Sequence, residues 1–363
     1  MDESKEQQPS YQAIDHGNPA SFRPKWFVLD DINIDLITTA TVVASLVLTL
    51  FFRLPAKLVV PAGAAVILPL RLIYPRPKPP KGLVLITGAS SGIGAELSYI
   101  FAGKGHDLVL IGRDPGQLEA VANNIKEKYG KTAHTLQWDL SVPGAAKSLY
   151  DEVTKRGLQV DVLVNCAGLG AAGDTLEQPI DLVEKMTTLN CIALVQLTQL
   201  FGRDMAKRGQ GWILQVSSVG GWMASPHHNI YHATKHFVRA FSEALSVELR
   251  AYPGVVNTQL MPGPTHTQFI TRSHAEETFM MTSGGAVEDP KAVAVAGYKG
   301  LCKGKRMVFG SWNSAFNALF MHLAPRSVHL TLTSLMNAPL RGASRTEEPL
   351  KDQSARGETL DKE

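Results

Sequence analysis

"LVLITGASSGIGAELSYIFAGKG", residues 83–105, sets five uncharged residues directly ahead of a glycine-rich turn and a helical pattern. Such a run suits a strand buried on both faces. Gly88, Gly92 and Gly94 permit a tight turn, and the N-terminus of the next helix offers free N–H groups to an anion. Taken alone, a glycine-rich turn is equally a plain strand-to-helix connection. The rest of the chain decides: "DLVLI" at 107, "TAHTLQW" at 132, "DVLVN" at 161, "WILQVS" at 212, "VVNTQL" at 255 and "RMVFG" at 306 alternate with amphipathic stretches. That rhythm predicts an α/β fold, a Rossmann-type doubly wound parallel sheet of about seven strands over residues 82–310.

Outward from this unit the composition changes. Residues 1–31 form a polar N-terminal tail. Residues 32–74 hold two apolar blocks, Leu36–Phe52 and Leu58–Leu70, separated by Arg53 and Lys57. The first block lacks a charge and begins too late for a removable signal, so 32–74 is expected to be a retained membrane anchor of one or two segments. A buried helical hairpin is the alternative. Asp30, Asp31 and Asp35 precede the blocks while Arg71, Arg76, Lys78 and Lys81 follow them. The positive-inside rule therefore places the main unit in the cytosol, with the endoplasmic reticulum as the expected membrane. Residues 75–81 carry four prolines and read as a stiff linker. Beyond 310 lies an apolar extension, 311–340, which suits a cap on a substrate pocket, a subunit contact or a membrane contact. Residues 341–363 are a charged tail expected to be disordered.

The 363 residues carry 36 Lys and Arg against 33 Asp and Glu, so no long-range field points to nucleic acid. Three scattered cysteines give neither a disulfide framework nor a metal-ligand spacing. His227 and His228 have no carboxylate or imidazole at a ligand spacing, and no metal is expected.

The chemistry concentrates in "SSVGGWMASPHHNIYHATK", residues 217–235. Phe237, Phe241, Leu245 and Leu249 recur every four residues, which predicts a helix burying that stripe. Tyr231 and Lys235, at i and i+4, then lie one turn apart on one face. A cation there favours phenolate and is expected to lower the Tyr231 pKa toward neutrality, fitting it for proton exchange with a carbonyl or alcohol. Y-x-x-x-K alone is common on ordinary helices; here Ser218 ends the fifth strand at the sheet's ligand-binding edge, where its hydroxyl can bond a substrate oxygen. Trp222 and Met223 suit a pocket wall or core packing equally.

In order, T-G-x-x-x-G-x-G, "NCAG" at 165–168, Asn190, Ser218 and Tyr231-x-x-x-Lys235 resemble the classical short-chain dehydrogenase/reductase family over residues 81 to about 310. The resemblance implies hydride transfer between a nicotinamide and a carbonyl carbon. Tyr231 would be the proton donor, Ser218 the orienting group, Lys235 the ribose ligand and modulator of Tyr231, and Asn190 the holder of a relay water. It also implies cofactor contacts from Gly88, Ser90, Ser91, Gly92, Ile93 and Gly94 in the turn. Further contacts would come from Asp139 and Leu140 at the adenine, from Asn165, Ala167 and Gly168, and from Pro262, Gly263, Thr265 and Thr267 at the carboxamide. Cys166 replaces the family's second Asn. It is expected to be an inert buried thiol. Gly112 occupies the place where an NAD enzyme carries an acid, and Arg113 beside it suits a 2′-phosphate, so NADP(H) is the expected cofactor. Residues 268–290 correspond to the family's mobile substrate lid.

The expected protein is thus a membrane-anchored NADP(H)-dependent reductase or dehydrogenase interconverting a ketone and a secondary alcohol. Its substrate would be a lipophilic small molecule such as a steroid, a 3-keto lipid or a polyketide-like compound. The family also implies a homodimer formed through the helices bearing Asn190 and Tyr231. The competing reading is a non-catalytic NADP-binding sensor or scaffold, against which the four intact site residues argue.

Overall fold

Seven parallel strands run in the order β3-β2-β1-β4-β5-β6-β7. They are β1 Leu83–Thr87, β2 Leu108–Gly112, β3 Ala133–Gln137, β4 Val160–Asn165, β5 Gly211–Val216, β6 Val255–Met261 and β7 Met307–Phe309. The computed structural model describes residues 41, 44–73, 80–252, 254–273 and 287–337. Leu108–Gly112 and Gly211–Val216 are buried at every position because helices cover both faces of the sheet. Alternate side chains divide the core. Val84, Ile86, Leu108 and Leu110 enter one cluster, and Leu85, Val109, Ile111 and Leu163 enter the other.

The connecting helices are α2 Gly92–Gly103, α3 Pro115–Tyr129, α4 Ala145–Lys155, α5 Ile180–Thr187, α6 Leu194–Arg208, α7 Asn229–Glu248, the short α8 Gln268–Arg272, and α9 Pro290–Cys302. Local sequence sets their ends. Asp114 caps α3 through the Gln117 N–H, Pro115 takes the first position, and Gly130 stops the helix in the left-handed region at φ 62°. The sheet order reverses between β1 and β4, whose C-terminal ends carry the glycine turn and the "NCAG" turn side by side. Two further helices, α10 Trp312–Leu323 and α11 Arg326–Asn337, complete the chain's described part.

Residues 1–76 form a unit separate from 77–363. Within it, residues 44–50 and α1, Ala56–Ile73, are helical, and Leu50, Phe51 and Phe52 are exposed. No helix among the described residues is long and apolar enough to cross a membrane; residues 36–40 and 42–43 of the first expected segment lie outside the described residues. The polar N-terminal tail, most of the linker and the charged C-terminal tail fall outside the described residues, as do 274–286 of the expected lid.

Candidate active site

β5 delivers Ser218 at its C-terminal end, and α7 carries Tyr231 and Lys235 back past it. The Ser218 hydroxyl lies within reach of Tyr231, donates to the Pro262 carbonyl at 3.4 Å and accepts from the Gly220 N–H at 3.0 Å. Lys235 is buried. Its Nζ lies 5.6 Å from the Tyr231 ring centroid and donates to the Val216 carbonyl at 3.1 Å. One-turn spacing therefore does place the two side chains together.

The electrostatics differ from expectation. Burial pushes the Tyr231 phenol up to about 12, with the Ser218 hydrogen bond pulling weakly the other way. Burial also brings Lys235 down to about 8. Lys235 is buried and Tyr231 half-buried, and the loss of water penalises phenolate and ammonium alike; on Tyr231 only the Ser218 hydrogen bond opposes it. Tyr231 is thus held firmly as a neutral donor.

Asn190 lies within a π-helical turn, Thr188–Ala193, between α5 and α6. The widened turn directs its amide inward, where Oδ1 accepts from Leu169 N–H at 2.9 Å and Nδ2 donates to Leu169 O at 2.8 Å and to Thr234 Oγ1 at 3.0 Å. Gly168 closes the cluster. A Cβ there would stand 3.6 Å from Asn190 Oδ1 and 3.7 Å from Lys235 Nζ. Asn190, Gly168, Ser218, Tyr231 and Lys235 thus meet at one point.

The inner face of α7 corrects a second expectation. Thr234, Lys235, Val238 and Ser242 are its buried residues, whereas Phe237 is exposed and Phe241, Leu245 and Leu249 are only half-buried. A helix bearing a reactive lysine turns a mixed polar face to the site and leaves its apolar stripe for another partner.

The cofactor positions line up along the sheet edge. Gly88 and Gly92 adopt φ 68° and 56°, conformations that glycine takes without strain. A Cβ on Gly94 would stand 2.1 Å from the Gly88 carbonyl oxygen, so the turn closes only with glycine there. Ser91 caps α2 without a side-chain bond, leaving the helix's first N–H groups directed outward. They border a cleft of about 590 Å3 lined by Ser90, Ser91, Gly92, Thr267 and Gln268 among others. Free N–H donors at a glycine turn beside a cleft fit a pyrophosphate. Ile93 is half-buried against the core behind it.

Thr267 sits against Gly92, and the Pro262–Thr267 segment is stitched to Ser218's turn by Val219 N–H donating to the Pro262 carbonyl at 2.8 Å. Thr265 Oγ1 donates to Gly263 O at 2.8 Å. Arg113 is exposed at the end of β2; Gly112, beside it, is buried with space for a Cβ only 3.2 Å from Leu118 Cδ2 and 3.4 Å from Ser90 Cβ. Asp139 is exposed, one carboxylate oxygen accepting from Ser141 N and Oγ, and Leu140 is buried behind it. The Asn165 side chain points away from the cleft. Its Nδ2 donates to Thr198 Oγ1 and Gln215 Oε1, leaving only its backbone for a cofactor. Ala167 and Cys166 present their N–H groups to Thr87 Oγ1, each at 3.0 Å. Burial raises the Cys166 thiol to about 12, which makes it unreactive.

Several residues here escaped the sequence reading. Thr87 fixes the "NCAG" turn, Thr234 links Asn190 to α7, and Phe269 of α8 places its ring 5.3 Å from that of Tyr231. Thr87 was the most visible of these, as a hydroxyl closing β1 immediately before the glycine turn. Trp222 and Met223 prove to be seats for the C-terminal extension. Met223 packs with Val219 and Met321, and Trp222 lies 5.2 Å from His322 with the Arg239 guanidinium 3.5 Å over its ring.

With this geometry in place, comparison with known proteins is decisive. The short chain dehydrogenase family profile matches residues 82–278. The chain belongs to that family. It is 33% identical over 242 residues to dehydrogenase/reductase SDR family member 7B of Danio rerio, covering 64% of this chain and 78% of that protein. It is 34% identical to SDR family member 7 of Homo sapiens, covering 54% of this chain and 58% of the human protein. It is 34% identical to a very-long-chain 3-oxoacyl-CoA reductase of Phaeosphaeria nodorum, over 48% of this chain and 52% of that one. The chain thus spans between about half and four-fifths of these relatives' lengths. Among solved structures, a short-chain dehydrogenase from Sphingobium yanoikuyae in complex with NADPH has a TM-score of 0.60 at 29% identity, covering 66% of this chain and 92% of the other. This short-chain dehydrogenase is accordingly an oxidoreductase of the dehydrogenase/reductase type.

Proposed function

We propose that the protein is an NADPH-dependent reductase that converts a ketone on a lipophilic substrate to a secondary alcohol. The convergence of Asn190, Gly168, Ser218, Tyr231 and Lys235 beside the glycine-turn cleft carries this reading. NADPH, when bound, supplies the hydride. Every other task falls to the chain. Ser218 Oγ donates a hydrogen bond to the substrate oxygen and fixes its position, and Tyr231 Oη delivers the proton to that oxygen as negative charge develops. Lys235 would hold the nicotinamide ribose, and its ammonium would stabilise the Tyr231 oxygen once the proton has left. Asn190 keeps Leu169 and Thr234 in place around them.

Arg113, exposed at the end of β2 with Gly112 in the usual acidic place, favours a 2′-phosphate, and the NADPH bound in the Sphingobium structure supports the same choice. The resemblance to a very-long-chain 3-oxoacyl-CoA reductase supports a long-chain keto substrate. Residues 32–74 hold the enzyme at a membrane, the endoplasmic reticulum, with its catalytic unit on the cytosolic side where the basic residues flanking the linker direct it. A homodimer forms across the helices bearing Asn190 and Tyr231, which gives the exposed Phe237 a partner.

The test is consumption of NADPH by purified protein across a panel of ketone-bearing lipids. Tyr231→Phe is expected to lower turnover at least a thousandfold while NADPH binding, followed by its fluorescence, stays within about twofold. Equal turnover by variant and wild type overturns the assignment. Arg113→Ala is expected to weaken NADPH at least tenfold and leave NADH unchanged. A preference for NADH in the wild type would reverse the cofactor assignment.

A further inference from the structure

We propose that the outward faces of α10 and α11 form a lipid-docking surface that rests in the headgroup region of a phospholipid bilayer. Both helices anchor a few apolar residues inward, Met321 on α10 and Leu332 and Met336 on α11, and leave larger apolar stripes outside. On α10 the buried positions are Ser314, Ala318 and Met321, whereas Trp312, Phe316, Leu319, Phe320 and Leu323 are exposed. Those exposed positions recur at i, i+4, i+7, i+8 and i+11, one continuous stripe along the helix. Trp312 is 84% exposed and Leu323 71%. On α11 the inward positions His329, Thr333 and Asn337 are polar, and Val328, Leu330 and Leu335 face outward.

The inward groups hold the helices in this orientation by specific bonds. His329 Nε2 and Thr333 Oγ1 meet the Ala224 carbonyl at 3.1 and 3.0 Å, and Asn337 Nδ2 donates to Ser225 Oγ at 2.6 Å. Ser314 Oγ donates to Glu288 Oε1 at 2.6 Å. Rotating either helix to bury its apolar side would break these bonds inside the protein, so the large residues are fixed outward. An exposed apolar stripe like that along α10, with further exposed apolar residues on α11, marks an interaction site.

Its chemistry selects lipid. Residues 311–337 contain no Asp or Glu, Arg326 stands exposed at the turn between the helices, and the stripe begins with Trp and Phe, the residues suited to a membrane interface. A second copy of the chain would also cover the stripe. The separate N-terminal unit, however, also exposes an apolar group, including Leu50, Phe51, Phe52 and Leu58, so the chain carries two surfaces of the kind that a bilayer interface takes. The loop that α11 grips, 223–228, leads directly into Tyr231. If the ketone-reductase reading holds, substrate dissolved in the bilayer would reach the site beside this surface; the lipid contact itself does not depend on that reading.

The test uses the full chain bound to phosphatidylcholine/phosphatidylserine vesicles carrying brominated acyl chains, which quench tryptophan at short range. Wild type is expected to lose emission that Trp312→Phe does not, because the remaining four tryptophans contribute equally to both proteins. The double variant Leu319→Asp, Leu323→Asp is expected to remove most of the Trp312 quenching while NADPH affinity stays within twofold, which shows that the fold persists. No Trp312 quenching on vesicles that have bound the protein overturns the proposal. If quenching is absent and the double variant converts a dimer to a monomer in analytical ultracentrifugation, the stripe belongs to a second copy instead.

Discussion

Lys235 is the residue at which function and stability oppose each other most directly. Its ammonium is buried and, among the described residues, has one hydrogen-bond acceptor, the Val216 carbonyl, and no carboxylate beside it. An ordinary lysine titrates near 10.5, and this one is held at about 8. Between those values the unfolded chain binds a proton that the folded chain does not, so stability rises with pH across that window. Below 8 the folded state bears the whole cost of the cation. Lys235→Met is therefore expected to raise stability at pH 7, by up to about 3 kcal/mol, while lowering turnover a hundredfold or more. Thermal unfolding at pH 7 and pH 10 checks this; the advantage of the variant should shrink as pH rises. Wild-type kcat/KM for reduction should fall above about pH 8 as the cation is lost, whereas Tyr231, held near 12, remains a proton donor throughout.

At the scale of elements, the π-helical turn at Thr188–Ala193 is what lets one side chain hold two others. Asn190→Ala would remove three hydrogen bonds and leave Leu169 N–H and O without their partners in a half-buried setting. The expected loss is about 2–3 kcal/mol by urea denaturation, together with several-fold weaker NADPH binding through the loosened Gly168 turn. The resemblance placed Asn190 in the site as the holder of a relay water, but nothing in the spacing of "TTLNCIALVQL" distinguishes a π turn from an α turn. The strands were far more legible. Leu83–Thr87 and Leu108–Gly112 fell within a residue of the expected positions because burial on both faces leaves a continuous apolar run between turn residues. Helix faces were legible only as faces. The Phe237, Phe241, Leu245 periodicity identifies an apolar stripe correctly, but periodicity cannot say whether the sheet, another copy or a lipid covers it. The same ambiguity hid the orientation of α10 and α11, where small and polar residues turn inward beside Met321, Leu332 and Met336.

Across the whole catalytic unit, Glu288 ties these pieces together. One carboxylate oxygen accepts from the Gly263 N–H at 2.9 Å and the other from Ser314 Oγ at 2.6 Å. Its backbone bonds Pro264 O and the His266 N–H on either side of Thr265. A single buried side chain therefore fastens the cofactor-facing segment Pro262–Thr267 to the first turn of α10. The C-terminal extension is in this way part of the cofactor site's support. Glu288→Ala strands both donors and is expected to cost about 1–3 kcal/mol and weaken NADPH several-fold. Glu288→Gln, whose amide oxygen can still accept one of the two bonds, should recover part of each loss. Gly310→Ala tests the same clamp from the other side, since a Cβ there would meet Glu288 Oε2 at 2.3 Å. Thermal unfolding and NADPH fluorescence titration on all three variants should move together. If stability falls while NADPH affinity holds, α10 is joined to the fold without supporting the cofactor segment.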